Sequence, residues 1–189
     1  MLVGDSVAFP VLRTGGAETA LAVACALVCC SSSPDRSVFV DAELTCVIEV
    51  MKARDMFPES SFCTSGNVFL RAGELPQGPE ELARLLPVTF SAETDERGEL
   101  PCGTVLLLGG ARCGQLAWMG VRWPAVPELG LGPEWARTGV QACFNSTAEG
   151  EPAVGHTVLV HVRRGEDERA GHLAWQVGQT LIGPEEEGW

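Results

Sequence analysis

The sequence predicts a mainly β chain: an antiparallel β-sandwich with one or two short helices and an N-terminal segment that includes a buried helix. Three observations lead there. From Phe62 onward, short apolar segments alternate with Gly, Pro, Asp and Asn, the texture of strands and turns. At least six such segments follow one another, as in a sandwich. Residues 17–30 (AETALAVACALVCC) are apolar all round, as a helix enclosed by a core is.

Taken in order, residues 1–16 hold turn signals, Gly15-Gly16 among them, and little periodicity. The apolar segment at 17–30 opens as a helix near Glu18. It is shorter than the roughly 20 residues that span a bilayer. Asp5 and Arg13 before it, and the lack of a small-residue cleavage pattern, disfavour a secretion signal. Ser31 to Arg36 reads as a turn or linker. SVFVDA (37–42) has the alternation of a strand. Residues 43–54 start with Glu43 and end with Lys52 and Arg54, the charge order that a helix dipole favours, yet Val47 to Val50 would also continue a strand. Asp55 to Ser61, with Pro58, is the best boundary.

Beyond it, a strand is expected through Val68–Leu70, closing on Gly73. A short helix follows over 79–86, with Pro79 at its start and Leu82, Leu85 and Leu86 on one side. Val105 to Leu108, between Gly103 and Gly109-Gly110, reads as a strand covered on both faces, and Leu116 and Trp118 belong to the next. After a Pro- and Gly-rich loop (124–133), residues 156–164 and 171–179 read as strands joined by the charged turn GEDERAG. The chain thus divides into 1–61, an appendage or extra strand and helix elements, a sandwich over 62–183, and an acidic tail over 184–189.

The chain has 189 residues, 25 acidic against 13 basic, for a net charge of −12. That balance argues against nucleic acid and anionic membrane surfaces, which need clustered Lys and Arg. The eight cysteines (25, 29, 30, 46, 63, 102, 113, 143) form no CxxC pair, and His156, His161 and His172 have no metal-ligand spacing. No metal or other cofactor is therefore expected, and the cysteines read as structural thiols in a reducing compartment, which places the chain in the cytoplasm.

Five pieces within residues 62–183 resemble, in order, the neuralized homology repeat. They are Phe62 with Gly66-Asn67-Val68 and Leu70; Val88-Thr89-Phe90-Ser91 with Gly98-Glu99; Cys113-Gly114-Gln115-Leu116 leading to Gly120-Val121; Trp135 in its Pro/Gly-rich surroundings; and Val158 to Arg164 followed by His172 to Gly178. Arg112 departs from the family's Trp, Gln176 to Gly178 lacks its Asn, and the apolar closing strand does not follow. The resemblance implies a β-sandwich that recognises a protein or peptide, in the manner of neuralized-type ubiquitin ligases and their adaptors. The missing closing strand implies an open edge beside 158–164 and 172–178, through which a dimer would form.

The core residues expected are Phe90, Leu106, Leu108, Leu116, Val158, Val160, Val162, Leu173 and Val177. Gly98, Gly114 and Gly120 suit tight turns or close backbone approach. Candidate binding residues are Trp123 and Trp135, as amphipathic anchors, and Arg163, Arg164 and Arg169, as donors to a partner's carboxylate. No catalytic motif stands out. The leading reading is a noncatalytic protein-interaction module, a recognition or adaptor domain for a ubiquitin ligase supplied in trans. One alternative is a small hydrolase or transferase with Cys113 or Cys143 as nucleophile and His156, His161 or His172 as base. Another is a secreted or viral sandwich that sequesters a host protein, in which the Asn145-Ser146-Thr147 sequon would carry a glycan.

Overall fold

Period-two alternation shapes this molecule. In β2 (Val38–Leu44), Val38, Val40, Ala42 and Leu44 are buried while Phe39, Asp41 and Glu43 face the other way, so one face of the strand meets a core. In the computed structural model, which describes residues 6–32, 37–95 and 97–187, the chain is mainly β and antiparallel. The other strands are β1 (Ser6–Thr14), β3 (Ser61–Thr64), β4 (Phe69–Arg71), β5 (Val88–Glu93), β6 (Cys113–Trp123), β7 (Glu134–Ser146), β8 (Pro152–Arg163) and β9 (Glu186–Glu187). All belong to one nine-stranded sheet in the order β4-β3-β5-β2-β6-β7-β8-β1-β9.

The layer packed on this sheet is helical. It comprises α1 (Ala17–Cys29), α2 (Val47–Met56), the short α3 (Pro79–Ala83), α4 (Thr104–Gly110) and α5 (Asp167–Gln176). The helix expected at 17–30 is present, but it is buried on one side and not all round: Ala20, Ala24, Leu27 and Val28 enter the core while Cys25 and Cys29 are exposed. The ambiguous segment after Glu43 resolves as α2, and Glu49 accepts the backbone N–H groups of Thr45 and Cys46 at its start, at 2.9 and 3.2 Å. A single large core joins these helices to the inner face of the sheet. No helix among the described residues is long and apolar enough to cross a membrane.

The helical content exceeds the one or two short helices expected, and two segments read as strands are helices. Residues 105–108 lie in α4, with Val105, Leu107 and Leu108 buried and Leu106 76% exposed. Leu106 is therefore not a core residue. A run of four apolar residues carries no period of its own; the neighbour decides, and Leu108 packs directly over Gly114 of β6, where an added Cβ would lie 3.0 Å from Leu108 Cδ2. Residues 171–179 likewise hold most of α5, whose Ala170, Leu173 and Ala174 are buried. The "turn" GEDERAG supplies its first turn, with Asp167 and Glu168 at the dipole's positive end. Val177, just past the helix, is only partly buried. The remaining expected core residues are buried.

Residues 1–61 belong to the same sheet and core. β2 lies between β5 and β6, and β1 pairs along β8 from Ser6↔Arg163 to Thr14↔His156. The edge expected to be open beside 158–164 is thus filled from the N-terminal side, and a dimer through it has no basis. The sheet ends instead on β4 and β9, of three and two residues, short edges that offer little template for pairing. The turn read at 31–36 and the tail at 184–189 fall partly outside the described residues.

β6 and β7 form the longest ladder, and their register slips once: Trp118 pairs with Val140 but Met119 with Thr138. Gly139 is the extra residue of this bulge. A Cβ there would lie 2.2 Å from the Cβ of Val121, a backbone-proximal atom that cannot rotate away. Gly139→Ala is expected to destabilise the protein by about 1–3 kcal/mol or more, read as a lowered urea midpoint at unchanged slope.

Candidate functional site

The helices cover one face of the sheet, and residues of the opposite alternation line the other. Register places Ser61, Ser91, Asp41, Gln115 and Cys143 in one row across β3, β5, β2, β6 and β7. Phe39, Ala117 and Gln141 form a second row across β2, β6 and β7. Between these rows and the bulge opens a cavity of about 350 Å³ lined by Phe39, Asp41, Gln115, Ala117, Met119, Arg137, Thr138 and Gln141. Smaller hollows continue it past Asp41, Glu43 and Thr89 toward Cys63. Together they make a groove across the middle of the open face.

Its floor is held by a network of hydrogen bonds in which both glutamine side chains are satisfied and only His161 Nδ1 lacks a partner. Gln141 Nε2 donates to Gln115 Oε1 at 3.1 Å and to the Ala148 carbonyl at 2.9 Å. Gln115 Nε2 donates to the carbonyls of Thr147 and Ala148 at 3.1 and 3.3 Å. His161 Nε2 lies 3.0 Å from Gln141 Oε1; with an amide oxygen as acceptor, Nε2 carries the proton. The chain after β7 therefore folds over the sheet and roofs the β7–β8 end, where Ala8, Cys143, Ala148 and Leu159 form a small second core. Burial lowers the pKa of His161 to about 4, so its ring is neutral near pH 7. The part over β2, β5 and β3 stays open, with Phe39 40% exposed.

Two carboxylates mark the groove. Ser91 Oγ donates to Asp41 Oδ1 at 2.6 Å, and burial raises the Asp41 pKa. Glu43 is bound by Arg112, with Nη1 2.6 Å from Oε1, and Cys113 Sγ donates to its other oxygen at 3.5 Å.

The five residues singled out from the sequence separate into two kinds. Trp123 is fully buried and donates from Nε1 to the His161 carbonyl at 2.8 Å; it is a core residue, not a binding anchor. Arg169 is also buried. Its Nε lies 2.6 Å from Glu166 Oε2 and 3.0 Å from Glu134 Oε2, while Nη1 and Nη2 donate to the carbonyls of Pro124 and Gly132 at 2.7 and 2.6 Å. Its donors staple α5 to the β6–β7 connection and leave no fork for a partner, which corrects its expected role. Arg163 has an exposed side chain, and its backbone N–H is held by Glu134 Oε1 at 2.7 Å. Arg164 meets Glu185 at 3.7 Å on the surface. Trp135 is 63% exposed and is the one aromatic of the set available to a partner.

The thiol chemistry considered for Cys113 and Cys143 meets the wrong environment. Burial pushes the Cys143 thiol up to about 12 and also raises Cys113, whereas a nucleophile needs a depressed pKa. Register sets Cys143 opposite Thr157, and His156 opposite Phe144, whose ring is 5.4 Å away. Among the described residues no group of three His, Cys, Asp or Glu side chains could hold a metal ion. Asn145, the sequon residue, donates from Nδ2 to the carbonyls of Gly109 and Ala111 at 3.0 and 3.1 Å, so its amide ties β7 to the end of α4.

Phe39, Asp41, Gln115, Gln141 and Arg137 were not read from the sequence as site residues. Their signal was present as polar residues at alternate positions of otherwise apolar strands, but without the register nothing brings them together.

The Glu134–Arg169–Glu166 cluster predicts a pH dependence of stability. Burial, then the hydrogen bond with Glu166, raises the Glu134 pKa from 4.5 to about 7, and Glu166 is lowered by Arg169 and Glu134 against its own burial. A carboxyl group whose folded pKa lies above its unfolded value contributes stability that is full below the unfolded pKa and is lost as pH rises through the folded one. Urea stability should therefore fall between pH 4.5 and about 7, and Glu134→Gln should flatten that fall. Arg169→Met, which leaves the buried Glu134 and the partly buried Glu166 without their cation, should cost about 3–5 kcal/mol near neutral pH.

No protein-family model, curated protein or solved structure matches this chain.

Proposed function

We propose that this protein is a noncatalytic interaction module that binds a protein or peptide partner on the open face of its sheet. The supporting observation is the apolar cavity at the centre of that face, where Phe39, Ala117 and Met119 lie over a floor of fully hydrogen-bonded glutamines. An apolar hollow with a few fixed polar groups is the usual form of a recognition site, and its rigidity lowers the entropy lost on binding. All eight cysteines are free thiols, which suits a reducing, cytoplasmic setting.

A role as a recognition or adaptor domain for a ubiquitin ligase rests on the sequence resemblance over residues 62–183. Part of the fifth piece of that resemblance folds as α5 and not as a strand, so the geometry of the sheet face carries the interaction reading and the motif residues alone carry the ubiquitin part. The cysteine-enzyme alternative is disfavoured by the elevated thiol pKa values.

Incubated with ubiquitin, activating enzyme and conjugating enzyme, the purified chain should form no ubiquitin conjugates by itself. Conjugates formed without added ligase would overturn the noncatalytic reading. Iodoacetamide should likewise find no hyperreactive thiol near neutral pH, with Cys143 among the slowest to react. Cross-links to bound partners should map to the Phe39 and Met119 face, and a Phe39→Glu, Met119→Glu double variant should lose them; retention would move the binding surface elsewhere.

A further inference from the structure

The open face carries a second feature beside its cavity. Arg122 of β6 lies directly opposite Trp135 of β7, and Arg137 stands two residues along the same strand, on the same side of the sheet. All three side chains are exposed, and Arg137 also lines the cavity. The chain is strongly acidic, and Arg13, Arg54, Arg97, Arg112 and Arg169 each contact a carboxylate. Among the described residues neither Arg122 nor Arg137 has such a partner. Two uncompensated guanidinium groups thus flank an exposed indole at the mouth of an apolar hollow. Trp and Arg are the residues that most often dominate binding energy at interfaces, and a guanidinium fork is matched to a carboxylate.

We propose that this corner docks an acidic segment of a partner protein: an apolar residue enters the cavity, and Asp or Glu side chains beside it are held by Arg137 and Arg122 around Trp135. This rests on the open face being the interaction surface and adds the chemistry of the partner. From Met119 in the cavity to Arg122 is three residues of strand, roughly 10 Å, so the carboxylates lie within about two to four residues of the apolar anchor in an extended segment. Asp41 at the far end of the cavity fixes the polarity. A carboxylate placed there would meet like charge and lose the hydrogen bond that Ser91 already gives to Asp41, so the acidic end belongs over β7. The net charge of −12 keeps extended polyanions away, and a short acidic stretch reaches only the local cationic corner.

The test pans a library of short randomised peptides against the full-length chain. It then measures, by fluorescence anisotropy, the enriched peptides beside counterparts with Asp and Glu replaced by Asn and Gln. Enrichment of Asp or Glu next to an apolar residue is expected, with binding about tenfold or more weaker for the neutral counterparts. Arg122→Gln and Arg137→Gln should each reduce that discrimination and the double variant should abolish it, with the urea midpoint unchanged. Four results would overturn the proposal: enrichment without acidic residues, equal binding of acidic and neutral peptides, discrimination that survives in the double variant, or displacement by inorganic phosphate at concentrations equal to the peptide's. If acidic and neutral peptides bind alike and both fail on the Phe39→Glu, Met119→Glu variant, the acidic partner is overturned while the interaction surface stands. Binding that this variant leaves untouched overturns both.

Discussion

The β6–β7 ladder is the interaction on which the rest depends. It joins the half of the sheet made by β5 and β2 to the half made by β8 and β1, and its single slip at Gly139 divides the ladder into two registers. Before the bulge, Leu116 and Trp118 point into the helical layer; beyond it, Val121 and Trp123 do. The change of parity keeps the inner face apolar along the full strand. It also sends Met119, Arg122, Trp135 and Arg137 to the open side, where the cavity and its cationic corner form. Gly139 of β7, which admits Val121 at close range, and Gly120 of β6, at a left-handed φ of 64°, together set both the core and the site.

Helices are distributed on this sheet so that one face is sealed and the other is not. α1 runs over β7, β8 and β1, α4 lies on β6 over Gly114, and α5 closes the β8 and β1 end. On the opposite face, residues 147–151 fold back onto Gln115 and Gln141. That roof turns a flat sheet into a groove with one closed end. The two glutamine side chains beneath it exchange hydrogen bonds with each other and with backbone carbonyls, and His161 joins them through Nε2, so the glutamines are polar without being hungry for a ligand. Recognition falls instead to the apolar residues and the exposed arginines at its margin.

Buried charge serves architecture at the other end of the molecule. Arg169 sits among two carboxylates and two backbone carbonyls; its contacts with Pro124, Gly132 and Glu134 tie α5 to the β6–β7 connection and the start of β7, while Glu166 holds it from the helix's own N-terminus. A guanidinium in such a place is a strut, since its desolvation is offset only while all its partners stay in position. The same connection leads into Trp135, so the strut holds the exposed indole's strand in register with the groove.

Composition and alternation by themselves determined that the chain is mainly β, that 17–30 is a helix, and that Leu116, Val158, Val160 and Val162 face the core, because a period of two or a continuous apolar stretch is written locally. Charge balance bears on the partner for the same reason: it is a sum over residues. The choice between strand and helix at 105–108 and 171–179 was decided by what lies across from them, Gly114 under Leu108 and the β8 and β1 end under α5, and no local pattern encodes a neighbour. Pairing β1 with β8 and placing β2 between β5 and β6 are contacts between distant parts of the chain, which made residues 1–61 part of one sheet. The site itself, with Phe39, Asp41, Gln115, Met119, Arg122, Trp135 and Arg137 drawn from three strands, exists only through register, since hydrogen-bonded pairing between separate strands is what turns scattered polar residues into one surface.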